Sequence, residues 1–209
     1  MDPIESNSSR PLTLSKRLAQ IIEETDADRL SFTELAEKLH SRAWGGLLLI
    51  FAAINVLPLP PGTSVFFAIP LMIVSAQMVL GRASPWFPAR INRRGVRKSE
   101  LERLSGKIKG IEERIERILK PRLARLTAPA ATRVIGAICF LLALATTLPI
   151  VHVAPAAVIL LFGLALIYRD GVLVITAAVG AVVSVVLGVL LINSGVVALN
   201  YLAAAWLNR

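Results

Sequence analysis

The stretch 55-NVLPLPPGTS-64 places prolines at 58, 60 and 61 and a glycine at 62 inside a run that carries no charge from Arg42 to Arg82. Proline lacks an amide proton and clashes with the preceding turn, so a helix ends or kinks there. The part of the run before Pro58 makes a helix of about 20 Å, short of the ~30 Å hydrocarbon core of a bilayer. The part after it, residues 64–81, contains Pro70. Two shortened apolar helices joined by a Pro-Pro-Gly turn predict a hairpin that either spans or re-enters. Irregular backbone at membrane depth is tolerated only against protein or a wet cavity, so the turn has to face one or the other.

The rest of the chain extends this reading. Of its 209 residues 55% are hydrophobic and 18% charged, with a mean hydropathy of +0.67. A soluble domain is ordinarily less apolar and carries more charge. Two further windows lack Lys, Arg, Asp and Glu: Arg133 to Arg169, and Asp170 to Arg209. Three such windows point to membrane insertion. The opening MDPIESNSSRP has no apolar stretch behind it, which argues against a cleaved signal peptide. The single cysteine, Cys139, rules out an intrachain disulfide and a cysteine-rich metal site. The net charge of +9 is local: residues 82–133 hold fifteen basic and five acidic residues. A basic loop between apolar windows belongs in the cytoplasm and attracts anionic lipid headgroups. No nucleic-acid motif or aromatic platform accompanies it, so nucleic acid is not an expected partner.

Outside the windows the pattern is amphipathic. Leu14, Leu18, Ile21 and Ile22 share one helical face. Ser31 and Glu34 form a capping box that opens a second helix, with His40 as a solvated residue near its end. Both helices are expected to lie on the cytoplasmic surface of the membrane. Leu101, Leu104, Ile108, Ile111, Ile115 and Ile118 recur at spacings of three and four. That stripe suits an amphipathic membrane-surface helix or a two-helix seam. Trp86 and Phe87, between Pro85 and Pro88, suit an interfacial anchor.

A repeat is visible. An offset of 91 sets Ser41 over Thr132, Arg42 over Arg133, Gly45 over Gly136 and Pro58 over Pro149. After the break an offset of 87 sets Arg82 over Arg169 and Ala76 over Gly163. Both segments read Arg, Gly, apolar helix, Leu-Pro break, apolar helix, Arg. Paired interrupted segments in two repeats point to a transporter-like site. The expected architecture is all-α: a polytopic α-helical membrane protein with two Pro-broken hairpins at 43–82 and 133–170. A C-terminal hairpin follows over 171–209, turning at Asn193-Ser194-Gly195. Amphipathic segments 1–42 and 83–132, together with the N-terminus, sit on the cytoplasmic side.

LPLPPG, the run Gln77-Met-Val-Leu-Gly-Arg82, Pro85-Trp86-Phe87-Pro88, Lys120-Pro121-Arg122-Leu123 and Tyr168-Arg169-Asp170-Gly171 together resemble the ExoD family of bacterial exopolysaccharide-synthesis proteins. The resemblance covers nearly the whole chain. It implies a multi-pass inner-membrane protein tied to exopolysaccharide production, and no catalytic mechanism. The second break, LPIVHVAP, departs from the LPxPFxNxxP expected there, with His152 in the altered stretch.

The chemistry is sparse. There is no phosphate loop, HExxH, GxSxG or CxxC, so no enzyme, metal or cofactor is expected. Candidate binding residues gather at the breaks and the helix ends: Asn55, Pro58, Pro60, Pro61, Gly62, Gln77, Arg82, Pro149, His152, Arg169 and Asp170. Arg82 and Arg169 could clasp a phosphate or simply anchor the cytoplasmic face. Asp170 either pairs with Arg169 or stands at a cavity mouth. Gln77 makes an interhelical hydrogen bond or a ligand contact. Asn55, Thr63, Ser64, Thr146 and Thr147 either re-satisfy backbone groups freed at the breaks or meet substrate. The leading expectation is a protein that binds or moves a small or lipid-linked anionic species at the paired breaks. The alternatives are a scaffold for polysaccharide export machinery and an ion or proton transporter using His152. Two repeats entering from one side also admit a second subunit as the opposing half.

Overall fold

The computed structural model describes residues 14–25, 27–57, 63–92, 94–115, 123–148 and 152–207, with residues 63, 91, 111–115, 124 and 198–207 described by their backbone alone. In chain order the elements are α1 (Leu14–Glu23), β1 (Arg29–Leu30), α2 (Phe32–Leu39), α3 (Ser41–Val56), α4 (Thr63–Val79), α5 (Ala89–Asn92), β2 (Val96–Arg97), α6 (Lys98–Ile115), a 3-10 turn (Ala124–Thr127), α7 (Pro129–Ala145), α8 (Val153–Tyr168) and α9 (Gly171–Leu207). Among the described residues the regular structure is helical apart from a two-residue antiparallel ladder in which Arg29 faces Arg97 and Leu30 faces Val96.

The helices divide into two packed groups. In the larger one, α3, α4, α7, α8 and α9 share a core of Trp44, Leu48, Leu71, Met78, Cys139, Leu142, Ile159, Phe162 and Leu166. Local sequence sets the helix ends. Pro58 pushes the residue before it out of the helical region, and Leu57 is extended at φ −66°, ψ 144°. Pro129 starts α7 and Pro155 lies in the first turn of α8, positions where a missing amide proton costs nothing. Pro70 lies inside α4.

Glycines set the pairing. A Cβ on Gly45 of α3 would stand 2.6 Å from the Gly163 carbonyl oxygen of α8, and one on Gly163 would stand 2.9 Å from the Gly45 oxygen and the Leu49 nitrogen. Gly45 also lies against Ile167, while Leu49 lies against Gly163, so the two helices run antiparallel. On the other diagonal, a Cβ on Gly136 of α7 would meet Met78 Cβ at 2.6 Å and the Ser75 oxygen at 3.1 Å. Gly81, just past α4 at φ +68°, lies under the Arg133 guanidinium. Hence α7 runs antiparallel to α4. The first helix of each hairpin packs on the second helix of the other.

The smaller group buries Leu18, Ile21, Ile22, Leu30 and Leu101, with Leu14, Leu35, Leu39, Val96 and Ile108 packed around them. The apolar faces of α1 and α6 are therefore spent on each other. Of the two arrangements open to the α6 stripe, a membrane-surface helix or a two-helix seam, the packing of α6 on α1 is a seam, closed by Leu30. Residues 14–39 and 94–110 meet in this core, and β1 pairs with β2. Leu104, placed in the apolar stripe of α6, is 48% exposed; Ile118 lies outside the described residues. Ser31 caps α2: its hydroxyl accepts from the Glu34 amide at 3.2 Å, and the Glu34 carboxylate accepts from the Ser31 amide at 3.0 Å. His40, expected on a helix, is the joint between α2 and α3. Its φ of 54° and ψ of −129° turn the chain through 117°, a conformation that costs a non-glycine residue about 1–3 kcal/mol.

The C-terminal hairpin is replaced by one helix. α9 runs unbroken over 37 residues, and the Ser194 hydroxyl donates to the Leu191 carbonyl at 2.9 Å inside it. A glycine in a helix interior costs about 1 kcal/mol relative to alanine, too little to break a long apolar helix. Gly171–Val197 is long and apolar enough to cross a membrane, as is the bent pair α2 and α3 taken together. Helices α4, α7 and α8 are apolar but shorter.

Two outcomes test these contacts. Gly45→Val is expected to lower the thermal unfolding temperature of the purified protein, by an overpacking cost of about 1–3 kcal/mol. Gly46→Ala, where nothing lies within 4 Å of an added Cβ, should leave it unchanged or slightly raised. Hydrogen bonds from the Ser31 amide and hydroxyl hold the Glu34 carboxyl below its ordinary value. A carboxyl depressed on folding contributes stability above its unfolded value and loses it as pH falls through its folded value. Melting curves of wild type and Glu34→Gln should therefore differ at about pH 7 and converge as pH falls through the lowered folded value of Glu34.

Candidate functional site

The antiparallel pairing sorts the candidate residues to two ends of the bundle. Asn55 lies ten residues beyond Gly45 on α3, roughly 15 Å along the axis. The start of α4, the end of α7 and the start of α8 lie at that same end, with Ser64, Thr146 and His152. Pro58, Pro60, Pro61, Gly62 and Pro149 fall outside the described residues. Arg82 follows α4, and Arg169 ends α8. Both therefore stand at the opposite end, about 25 Å away by helix length. The arginines do not flank the breaks. They share their end with Arg133, with the joint at His40, and with the whole of the smaller helical group.

The break end buries several polar side chains. Asn55 and Thr146 are fully buried, and Ser64 is 4% exposed; His152 is half-buried. Three side chains bond back to their own helices. Asn55 Nδ2 donates to the Phe51 carbonyl at 3.2 Å, Thr146 Oγ1 to Ala143 at 2.6 Å, and Thr147 Oγ1 to Leu144 at 2.7 Å. These bonds supply carbonyls near the helix ends, where intrahelical partners run out. Among the described residues, Asn55 Oδ1 is left buried with no hydrogen-bond partner. An amide oxygen taken from water without a partner costs about 1–3 kcal/mol. The atom has spare capacity to accept from a hydroxyl or another donor.

The remaining candidates have structural duties. Gln77 is 8% exposed, and its Oε1 accepts from the Trp86 amide at 2.7 Å. It thus ties the Pro85–Pro88 loop to α4. Within that loop Trp86 is 57% exposed, whereas the Phe87 ring lies 5.6 Å from Phe32. Asp170, 4% exposed, turns its carboxylate to the start of α9, where Oδ1 accepts from the Val172 amide at 2.9 Å. A carboxylate there also opposes the positive end of the helix dipole. Arg169 at φ 54°, ψ 38° supplies the left-handed residue that ends α8, a place usually taken by glycine.

In the larger bundle Ser75 and Ser184 escaped the sequence reading. Ser75 on α4 is fully buried, and among the described residues its hydroxyl has no hydrogen-bond partner; Ser184 on α9 is 4% exposed. A lone serine in an apolar helix gives no signal of which way it faces. Among the described residues no group of three His, Cys, Asp or Glu could hold a metal.

The cap assigned to Asp170 has a direct check. Asp170→Ala is expected to lower stability by about 1 kcal/mol, in the range of N-cap losses, with Asp170→Asn retaining most of it. Equal melting temperatures for the alanine variant and wild type would contradict the assignment.

Comparison with known proteins follows the same lines. The family model "Exopolysaccharide synthesis, ExoD" matches residues 14–190. Protein ExoD of Rhizobium meliloti (strain 1021) is 28% identical over 181 residues, covering 81% of this chain and 72% of that protein. No solved structure matches the chain. The chain belongs to the ExoD family.

Proposed function

We propose that this ExoD-family chain is a multi-pass inner-membrane protein that supports exopolysaccharide synthesis without catalysing a reaction itself. It does so by binding or moving a small or lipid-linked anionic species. Family membership supplies the process. The exchanged pairing of the hairpins, with Gly45 on Gly163 and Gly136 on α4, supports reading them as two copies of one unit. The connections rich in charge all join the bundle at one end, which the excess of Lys and Arg assigns to the cytoplasm. At 16 or 17 residues, the four hairpin helices reach about 24–26 Å. Their tips then stop short of the far side of a ~30 Å hydrocarbon layer, as re-entrant hairpins do.

The observation that carries the reading is Asn55: a fully buried amide at a helix break, with its acceptor unsatisfied among the described residues. An accepting oxygen suits the hydroxyl-bearing part of a saccharide. Arg82 and Arg169 at the cytoplasmic rim suit its anionic part. Each end thus addresses a different portion of one amphiphilic species.

The test is exopolysaccharide output in cells whose own copy is deleted, with membrane levels of each variant measured alongside. Asn55→Leu is expected to cut output at least several-fold while the protein accumulates normally, because a leucine fills the site and removes the acceptor. Arg82→Gln with Arg169→Gln should also lower it. Full output from the Asn55 variant would end the proposal. Loss of output on replacing only residues 98–115 by an unrelated amphipathic helix, with Asn55→Leu neutral, would instead identify a scaffold.

A further inference from the structure

Among the described residues, nothing covers α9 from residue 189 to residue 197. Its buried positions, Ala177, Ala181, Ser184 and Gly188, follow α8 in steps of three and four, and Gly180 lies 3.3 Å from Val158 by its would-be Cβ. Every residue from 189 to 197 is exposed. The helix is 37 residues long, about 55 Å, against a hydrocarbon core of ~30 Å. A tilt of about 40°, the upper end of what such helices show, still leaves roughly 42 Å to accommodate. Lipid tails therefore do not cover the whole of this helix.

The sequence from 186 onward carries a second pattern. Val186, Val189, Asn193, Val196, Asn200, Ala203 and Leu207 recur at spacings of three and four, the a and d positions of a two-helix seam. Val186, Val189 and Val196 are each about half exposed, and Asn193 is exposed. The stripe is separate from the one that meets α8: Val186 lies about 200° around the helix from Ser184. The two asparagines are seven residues apart and occupy equivalent positions. Asparagine both donates and accepts, so it satisfies itself across a two-fold axis. In an apolar setting such a pair fixes register and strand number.

We propose that the far half of α9 is a homodimer interface. It pairs in parallel with the same segment of a second copy, with Asn193 against its symmetry mate and the valines packed on either side. The proposal rests on α9 crossing a membrane, as in the function proposed above. A second copy is the occupant this pattern favours because the stripe is self-complementary.

Single cysteines in the full-length protein test this in native membranes, with the buried Cys139 left in place and the unmodified chain as control. After mild oxidation Val196→Cys, on the stripe, should give a band at twice the chain mass of 22.5 kDa. Leu191→Cys, on the opposite side, should stay monomeric. Adding Asn193→Val to Val196→Cys should lower the cross-linked fraction roughly ten-fold, the order expected for an interhelical polar pair, and Asn193→Gln should restore most of it. The proposal is overturned by equal cross-linking at 191 and 196, by none at either, by an adduct with a different protein, or by a yield insensitive to Asn193→Val. Alkaline carbonate extraction separates the two readings. A chain that stays in the pellet yet does not cross-link removes only the dimer, whereas a wild-type chain that washes off removes the membrane reading as well.

Discussion

The contact between Gly45 and Gly163 fixes the arrangement of everything else in the larger bundle. Each glycine sits where any Cβ would press into the backbone of the facing helix. The two axes can therefore approach more closely than side chains would allow, and dispersion between backbones replaces side-chain interdigitation. Gly136 does the same against α4. Because both contacts lie near the start of one hairpin and the end of the other, they force opposite helix directions. The two breaks then have to emerge together. That consequence follows from three residues without side chains, and it turns two separate interruptions into one polar end.

The polar groups of the bundle are handled unequally. Thr146 and Thr147 fold their hydroxyls back onto carbonyls of their own helix, which settles both donor and acceptor at small cost. Asp170 settles one oxygen on the first turn of α9. Gln77 settles its oxygen on the Trp86 amide. Asn55 bonds through nitrogen and leaves its oxygen buried and idle. Leucine would fill a similar volume without that penalty. An amide is therefore a poor choice for packing alone, and this contrast among neighbours, rather than polarity as such, singles Asn55 out.

Much of this was legible in the sequence. The capping box at Ser31 and Glu34, the stop before Pro58 and the pairing of Gly45 with Gly136 in equivalent positions all follow from short-range chemistry. What failed needed long-range information. The amphipathic faces of α1 and α6 are 90 residues apart, as the bond from Ser105 Oγ to the Ser15 carbonyl shows, and nothing local says that each is the other's cover. Asn193-Ser194-Gly195 has turn chemistry but no proline, and a helix already long enough absorbs it. The repeat alignment gave corresponding positions, yet not that the hairpins exchange partners. His40 carries no mark in sequence of the strained joint it forms.

Length then becomes the remaining constraint. In the membrane reading proposed above, four helices of 16 or 17 residues and one of 37 cannot all match one bilayer. The short four are flush at the charged end, where α3 and α7 start and α4 and α8 finish, so the mismatch accumulates at the other. There the short helices stop with buried amide and hydroxyl groups at their tips, while α9 alone continues past them. A polar floor beside a single projecting apolar helix is stable only if protein covers what lipid does not. In the dimer reading, two such helices cover each other above the floor. The residue that sets their register, Asn193, then lies only nine positions beyond Ser184, the last buried polar side chain on the bundle face of α9. Association and the polar end of the bundle are thus coupled through one continuous helix, and a shift of α9 in either place is felt in the other.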